Sequence, residues 1–321
     1  MKKILVLSPI SIVGKLIMES LVSGFEMNKC RVLSKDIDKL TPEDVKFFNP
    51  DMVFGYDYSY LTNENCKKIV ESLECKNLVF YFADEPQGEA ALGEQKDLFE
   101  ELKKIDATIF VWDKDFVETF ENCFYLPLAA SRLKYETNFS GYSYSITFVG
   151  SPLSDKRQNI LCDLIKAFQK KLTVFCPEKD FLKSIEDIKE KNLLDESNLE
   201  IYSNCWKGFA KTEQELAKIY NSSKINLNIT DQGKSSLNYK VFEVLTSGGF
   251  LITDEREDLK KYFTISKQLE SYKDTADLID KIDFYMKNLN IAQKIAQLGH
   301  AKCVERHNFS ARAKSILARA I

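Results

Sequence analysis

Residues 221–254 read NSSKINLNITDQGKSSLNYKVFEVLTSGGFLITD. An apolar, β-branched run (224–229) gives way to small polar residues. A helical pattern (236–247) follows, then Gly248-Gly249 and a second apolar run (249–252). In the helix, Leu237, Val241, Val244 and Leu245 recur at i, i+4, i+7 and i+8, a buried stripe. Lys240 and Glu243 fall three apart on another face. As an exposed i,i+3 pair they form a salt bridge of about half a kcal/mol and nothing more. Beside a helix start with Ser235, Ser236 and Asn238, they also suit a nucleoside diphosphate. Helix N-terminal amides and a cation would meet its phosphates, and a carboxylate would accept from ribose hydroxyls. The glycine pair fits an ordinary left-handed helix cap equally well.

The strand–helix–strand rhythm extends in both directions. Toward the N-terminus, apolar runs at 3–7, 30–33, 51–54, 78–82, 108–112 and 124–127 alternate with helical patterns such as 63–73 and 92–104. Beyond the polar, aperiodic loop 131–144, strands are expected at 145–149, 172–175, 199–202, 224–229 and 249–252. Helices are expected near 154–170, 211–221, 236–247, 274–288, 290–305 and 309–319. Strands apolar on both faces, interleaved with helices, call for parallel sheets covered on both sides. The expected architecture is α/β: two doubly wound, Rossmann-like domains, residues 1–141 and 142–307, facing a central cleft. Ligands should sit at the carboxyl ends of the strands.

The chain has 321 residues, too many for one ordinary core and suited to two. Its eight cysteines form no CxxC and no ligand-like spacing, so reduced buried thiols in a cytoplasmic protein are expected. The opening MKKILVLSPISIV imitates an export signal, but Pro9 interrupts the run and no small-residue cleavage site follows, so it reads as a first strand. No apolar stretch reaches the length of a membrane span. Net charge is −3, divided as −7 over 1–141 and +4 over 142–321. An acidic first half disfavours nucleic acid, and the mildly basic second half suits an anionic donor. After the first strand only Gly14 stands where a dinucleotide fingerprint needs three glycines. Gly14-Lys15 also lacks the rest of a phosphate-binding P-loop, so a nicotinamide dehydrogenase or P-loop kinase is not expected.

Several motifs resemble the CgeB-like branch of the GT-B glycosyltransferases. The likeness runs through Ile219-Tyr220-Asn221-Ser222-Ser223-Lys224-Ile225-Asn226-Leu227-Asn228, then Asn238-Tyr239-Lys240-Val241-Phe242-Glu243 and Gly248-Gly249-Phe250-Leu251-Ile252-Thr253-Asp254. It continues in Tyr272-Lys273-Asp274, Ile295-Ala296-Gln297-Leu298-Gly299 and His307-Asn308-Phe309-Ser310-Ala311-Arg312. Upstream it takes in Tyr125-Leu126-Pro127 and Thr147-Phe148-Val149-Gly150-Ser151. About 200 residues from Leu78 onward share it.

The resemblance implies transfer of a hexosyl or N-acetylhexosaminyl group from a nucleotide sugar, with UDP the expected nucleotide, to a protein or glycan. The donor sits in the second domain and the acceptor in the first, and the last helix (about 308–321) packs back on the first. No metal or other cofactor is implied. Glu243 would bind the ribose and Lys240 the diphosphate, with Gly150, Ser151, Ser236, Asn238 and Arg157 near the phosphates. Tyr202 or Trp206 would lie against the base, although aromatic residues in such loops are more often packing. Related retaining enzymes carry a second glutamate where this chain has Ser235, so retention and inversion both stay open. Inversion would need a base. Both histidines, His300 and His307, fall near the C-terminus, which leaves Asp84 and then Glu85 as candidates; a turn with Pro86 explains them equally well. Tyr56, Asp57 and Tyr58 could orient an acceptor, or simply pack. Asp36-Ile37-Asp38 has a D-x-D spacing, but its setting is a solvated, charge-rich loop. The competing functions are a nucleotide-sugar 2-epimerase, which the histidine shortage disfavours, and a noncatalytic coat or envelope protein, which Ser235 suggests.

Overall fold

The computed structural model describes every residue except 76, 132–134, 136, 137, 232, 234 and 321, so part of the predicted boundary loop lies outside the described residues. Contacts divide the chain into two compact units. The first comprises Met1–Ala129, Gly233–Leu237 and the segment from His307. The second comprises Ala130–Gln232 and Asn238–Arg306.

The first unit holds six strands: β1 (Lys3–Ser8), β2 (Arg31–Asp36), β3 (Met52–Tyr56), β4 (Leu78–Phe82), β5 (Ala107–Val111) and β6 (Cys123–Tyr125). Every pairing is parallel, in the order β2-β1-β3-β4-β5-β6. The order reverses direction between β1 and β3. At that point strand carboxyl ends diverge and leave a crevice for a ligand. Leu5, Leu7, Val53, Phe80, Phe82, Ile109 and Val111 put one sheet face into a core with Ile69, Leu98 and Leu102.

The helix Phe309–Ala320 completes this unit by lying on Ile12–Met27. Gly24 permits the approach, since a Cβ there would stand 2.5 Å from the Phe309 carbonyl oxygen. Arg312, 7% exposed, donates from Nε to the Pro127 carbonyl at 2.7 Å and from Nη2 to the Leu128 carbonyl at 3.0 Å. Arg312→Leu would keep apolar bulk but orphan both carbonyls, at about 1–3 kcal/mol each. We expect the urea midpoint of the first unit to fall by the equivalent of about 3 kcal/mol; an unchanged midpoint would show the staple to be dispensable.

The second unit holds β7 (Tyr144–Val149), β8 (Leu172–Phe175), β9 (Ser223–Asn228), β10 (Leu251–Asp254) and β11 (Glu270–Tyr272), all parallel in the order β11-β10-β9-β7-β8. Here the order reverses between β7 and β9. Three local expectations need correction. Residues 199–202, read as a strand, belong to the helix Glu196–Ser203, whose Asp195 cap accepts from the Asn198 N–H. The short run at β11 was not anticipated. The helix expected over 236–247 begins at Tyr239 and ends at Thr246, because 233–237 pack with the first unit.

The glycine pair serves two purposes. Gly248 takes φ +78°, the left-handed cap, whereas Gly249 admits Asn226 and the Tyr220 carbonyl, which a Cβ would meet at 2.7 and 2.8 Å.

Candidate functional site

At the β7/β9 reversal, the sequence supplies a bare backbone and then a cation. β7 is followed directly by Gly150, at φ +144°, a conformation costly for any side chain. Ser154 then caps the helix Asp155–Phe168 by accepting from the Arg157 N–H. The Arg157 side chain turns back to the sheet. Its Nε donates to the Ile229 carbonyl at 3.0 Å and pairs with Asp231 at 2.8 Å, and its Nη1 donates to the Ser151 carbonyl at 2.9 Å. The guanidinium also stands over the Phe148 ring at 5.7 Å. Burial lowers its pKa and Asp231 opposes that. Arg157 therefore ties the carboxyl ends of β7 and β9 together before it can contact any phosphate.

Beside β9, the helix Tyr239–Thr246 carries Lys240 and Glu243. Glu243 is only 6% exposed, so the pair is no surface salt bridge. Tyr135 Oη donates to its Oε1 at 2.5 Å and Tyr220 Oη to its Oε2 at 3.2 Å. Lys240 Nζ donates to the Tyr220 hydroxyl at 3.0 Å and lies 3.8 Å from Glu243 Oε2. Burial lowers the Lys240 pKa, with Glu243 opposing. Burial, reinforced by the Glu243 charge, raises both tyrosines far above the ordinary phenol range, so their hydroxyls stay protonated and keep donating. An ionised carboxylate has about four lone-pair directions, so two tyrosines and an ammonium do not exhaust it. The arrangement is a buried anion dressed by hydroxyl donors, with a cation one step away. Arg157 is close enough to lower the Lys240 pKa further.

A second polar network lies at the ends of β9 and β10. Asn228 and Asn238 exchange amide bonds at 3.0 Å in both directions, and Asn228 also donates to Thr253 Oγ1 at 2.9 Å. Asp254 accepts from the Thr230 hydroxyl at 2.8 Å and pairs with Lys156 at 2.8 Å. Asn238 is the N-cap residue, yet among the described residues its side chain makes no capping bond, being spent on Asn228. Sequence reading missed Tyr135 and Lys156 and gave Tyr220 and Asp254 no role. Only Tyr220, one turn from β9, carried a usable signal.

Two predicted donor residues are placed elsewhere. Ser236 belongs to the first unit: its N–H donates to Asp113 Oδ2 at 3.4 Å and its hydroxyl accepts from the Lys114 N–H at 3.2 Å. Ser235 likewise donates to Asp115 at 3.0 Å. Tyr202 is fully buried, stacked on Phe181 at 5.2 Å and bonded to Ser184 at 2.9 Å, so no base can reach it. Trp206 stacks on the same Phe181 and donates to the Cys176 carbonyl at 2.9 Å, but it is only half-buried, so part of its surface stays open.

In the first unit the acids gather at the carboxyl ends of the neighbouring strands β3 and β4. Asp57 follows β3 at φ +42°, and its Oδ1 accepts from the Ser59 N–H at 2.9 Å and the Ser59 hydroxyl at 2.6 Å. Burial nevertheless pushes its carboxyl up to about 7, with the nearby Asp84 adding to the rise. Burial raises Asp84 too. Glu85 is exposed, and its carbonyl accepts from the Gly88 N–H at 2.9 Å, the turn that Pro86 suggested. Tyr56 and Tyr58 are corrected to core residues, 4% and 1% exposed. Tyr58 packs edge-on to Phe82 and donates to the Pro86 carbonyl at 2.8 Å. In the D-x-D segment, Asp36 pairs with Lys15 at 3.2 Å and with Lys39 at 2.8 Å.

The Asp57 shift fixes a sign. A carboxyl that holds its proton more tightly when folded loses stability as pH rises from about 4 to about 7, with no further change above. Asp57→Asn removes that fall. Because Asp57 is only part-buried, we expect the variant to be more stable than the wild type by roughly 1–2 kcal/mol at pH 8 and equal to it near pH 4. Urea unfolding at both pH values measures this; parallel profiles would deny the shift.

A family model described as glycosyl transferase-like matches residues 170–318. No curated protein matches in sequence. Among solved structures, an α-glucosyltransferase in complex with UDP and a 13-mer DNA superposes with a TM-score of 0.72 at 13% identity, covering 100% of both chains. Anabaena Alr3699/HepE in complex with UDP and glucose gives 0.68 at 12% identity, with 99% of each chain covered. Sucrose-phosphate synthase from Thermosynechococcus elongatus gives 0.67 at 10% identity, with 99% of this chain and 98% of the other covered. The fold is GT-B. In this GT-B chain the matched region contains Lys240, Glu243, Tyr220 and the whole of β9 and β10, while Arg157, Tyr135 and the end of β7 lie before it. None of the helices among the described residues is long and apolar enough to cross a membrane.

Proposed function

We propose that this chain is a glycosyltransferase that moves a hexosyl or N-acetylhexosaminyl unit from a UDP-sugar to a protein or glycan acceptor, with no resident metal. The observation that carries the reading is buried Glu243, paired with half-buried Lys240, beside the β7/β9 reversal of a GT-B second unit. Ribose hydroxyls would donate to Glu243 in place of the Tyr135 hydroxyl, which donates to Oε1 at 2.5 Å. The bond from the anomeric carbon to the diphosphate breaks, and its electron pair stays on the leaving oxygen. Lys240, already penalised by burial, gains most from a neighbouring anion and stabilises that charge. The acceptor oxygen bonds to the anomeric carbon and loses its proton. If the anomeric centre inverts, Asp57, whose carboxyl titrates at about 7, takes that proton, with Asp84 beside it. The eight cysteines are all free thiols, which fits a reducing, cytoplasmic setting.

UDP release from UDP-glucose and UDP-N-acetylglucosamine tests the reading. We expect release with at least one donor, and Lys240→Ala to lower kcat by about 100-fold, the loss seen when one charge-stabilising donor is removed. No release, together with no thermal stabilisation by UDP, would end it.

A further inference from the structure

The second unit contains a cavity of about 440 Å³. Ser223 begins β9 and Phe250 directly precedes β10, so the cavity opens at the amino ends of these strands. Gly150 and Asn228 lie at the opposite, carboxyl ends, on the order of 15 Å away along a six-residue strand. None of the described residues lining the cavity is an Asp, Glu, Lys or Arg. Its polar lining is instead rich in carboxamides, among them Asn221, Gln293 and Gln297.

A carboxamide offers both donors and an acceptor, the pattern that a ring of hydroxyl groups requires; Asn221 spends one N–H on the Ser247 carbonyl at 2.8 Å and keeps its oxygen for a ligand. Two aromatic side chains provide apolar surface. Phe139 is 53% exposed, and its ring meets Tyr142 edge-on with centroids 5.0 Å apart. The Gln293 amide hydrogen-bonds the Tyr142 hydroxyl and so fixes that ring. His300 Nδ1 faces two carbonyl oxygens, of Thr246 at 2.9 Å and Leu245 at 3.3 Å. Two acceptors require a proton on Nδ1. An exposed aromatic platform and several amides, with no Asp, Glu, Lys or Arg among the described lining residues, select an uncharged polyhydroxylated ligand. A nucleotide or an acidic peptide would find no countercharge here.

We propose that this cavity is a second saccharide site, which holds a neutral glycan segment by stacking on Phe139 and by amide bonds from Gln293, Gln297 and Asn221. The proposal does not depend on turnover at the nucleotide site.

Saturation-transfer NMR on the full chain, with maltotriose and triacetylchitotriose as probes, tests it. Each would be present at roughly 10 mM, tenfold above a millimolar Kd. We expect transfer from at least one probe, persisting in saturating UDP. Phe139→Ala and Gln297→Ala, both at exposed positions, should each reduce it about tenfold while circular dichroism and Tm stay unchanged. Transfer from neither probe overturns the proposal. So does transfer that both variants leave intact, or that UDP abolishes, since the saccharide would then occupy the nucleotide site.

Discussion

Glu243→Gln is expected to weaken UDP binding by about 30-fold, roughly 2 kcal/mol, the difference between charged and neutral hydrogen bonds to two ribose hydroxyls. The glutamine is the sharper test than alanine. Removing the whole side chain would leave Lys240 buried without its anion and disturb folding, whereas the amide keeps the volume. It also retains a carbonyl oxygen for one tyrosine, and the other hydroxyl can turn to accept from the new NH2. Tyr135→Phe is the matched control. Its hydroxyl holds the carboxylate oxygen assigned to the ribose, so its removal should raise UDP affinity by about fivefold, one ordinary hydrogen bond's worth. Calorimetry at constant pH measures both variants. Wild-type affinity in Glu243→Gln would remove the carboxylate from the binding site and sink the assignment.

Gly299→Ala should destabilise the second unit by about 3 kcal/mol, a fall in Tm of about 6–12 °C for a domain of this size. Two effects oppose one another. Alanine in a helix interior gains about 1 kcal/mol over glycine. Against that, a Cβ on Gly299 would lie 2.1 Å from the Gln268 carbonyl oxygen and 2.8 Å from Leu245 Cδ2. The nearer atom is backbone and cannot rotate aside, so the helix Leu289–Arg306 must shift by about an ångström. Steric cost wins. The shift is transmitted to the helix Tyr239–Thr246, whose Leu245 packs on Gly299, so Glu243 should lose alignment and UDP affinity should fall as well. A variant as stable as the wild type would mean that the close approach relaxes without cost.

How legible this protein is depends on whether a residue's role is set by its neighbours in sequence. Strands β1, β3 and β4 are apolar on both faces, and their alternation with helices leaves a parallel sheet as the only burial that works. Residues 199–202 misled because Leu-Glu-Ile-Tyr alternates like a strand over four residues, while the Asp195 cap and the Tyr202–Phe181 stack decide for a helix. Ser236 misled because the helix start looked three residues earlier than it is. Asp113, far away in sequence, holds that serine in the first unit. Tyr135 was invisible, since nothing in an aperiodic linker says that its hydroxyl reaches Glu243.

The sequence by itself determined two parallel α/β sheets, the helix bearing Lys240 and Glu243, and the glycine directly after strand β7, because local periodicity and turn chemistry act within a few residues. Tertiary structure alone decided that Glu243 is buried rather than solvated, that Tyr202, Tyr56 and Tyr58 are core, and that burial pushes the Asp57 carboxyl up to about 7. Burial and partner identity depend on what packs from distant parts of the chain, and no local pattern encodes the dielectric around a carboxyl group.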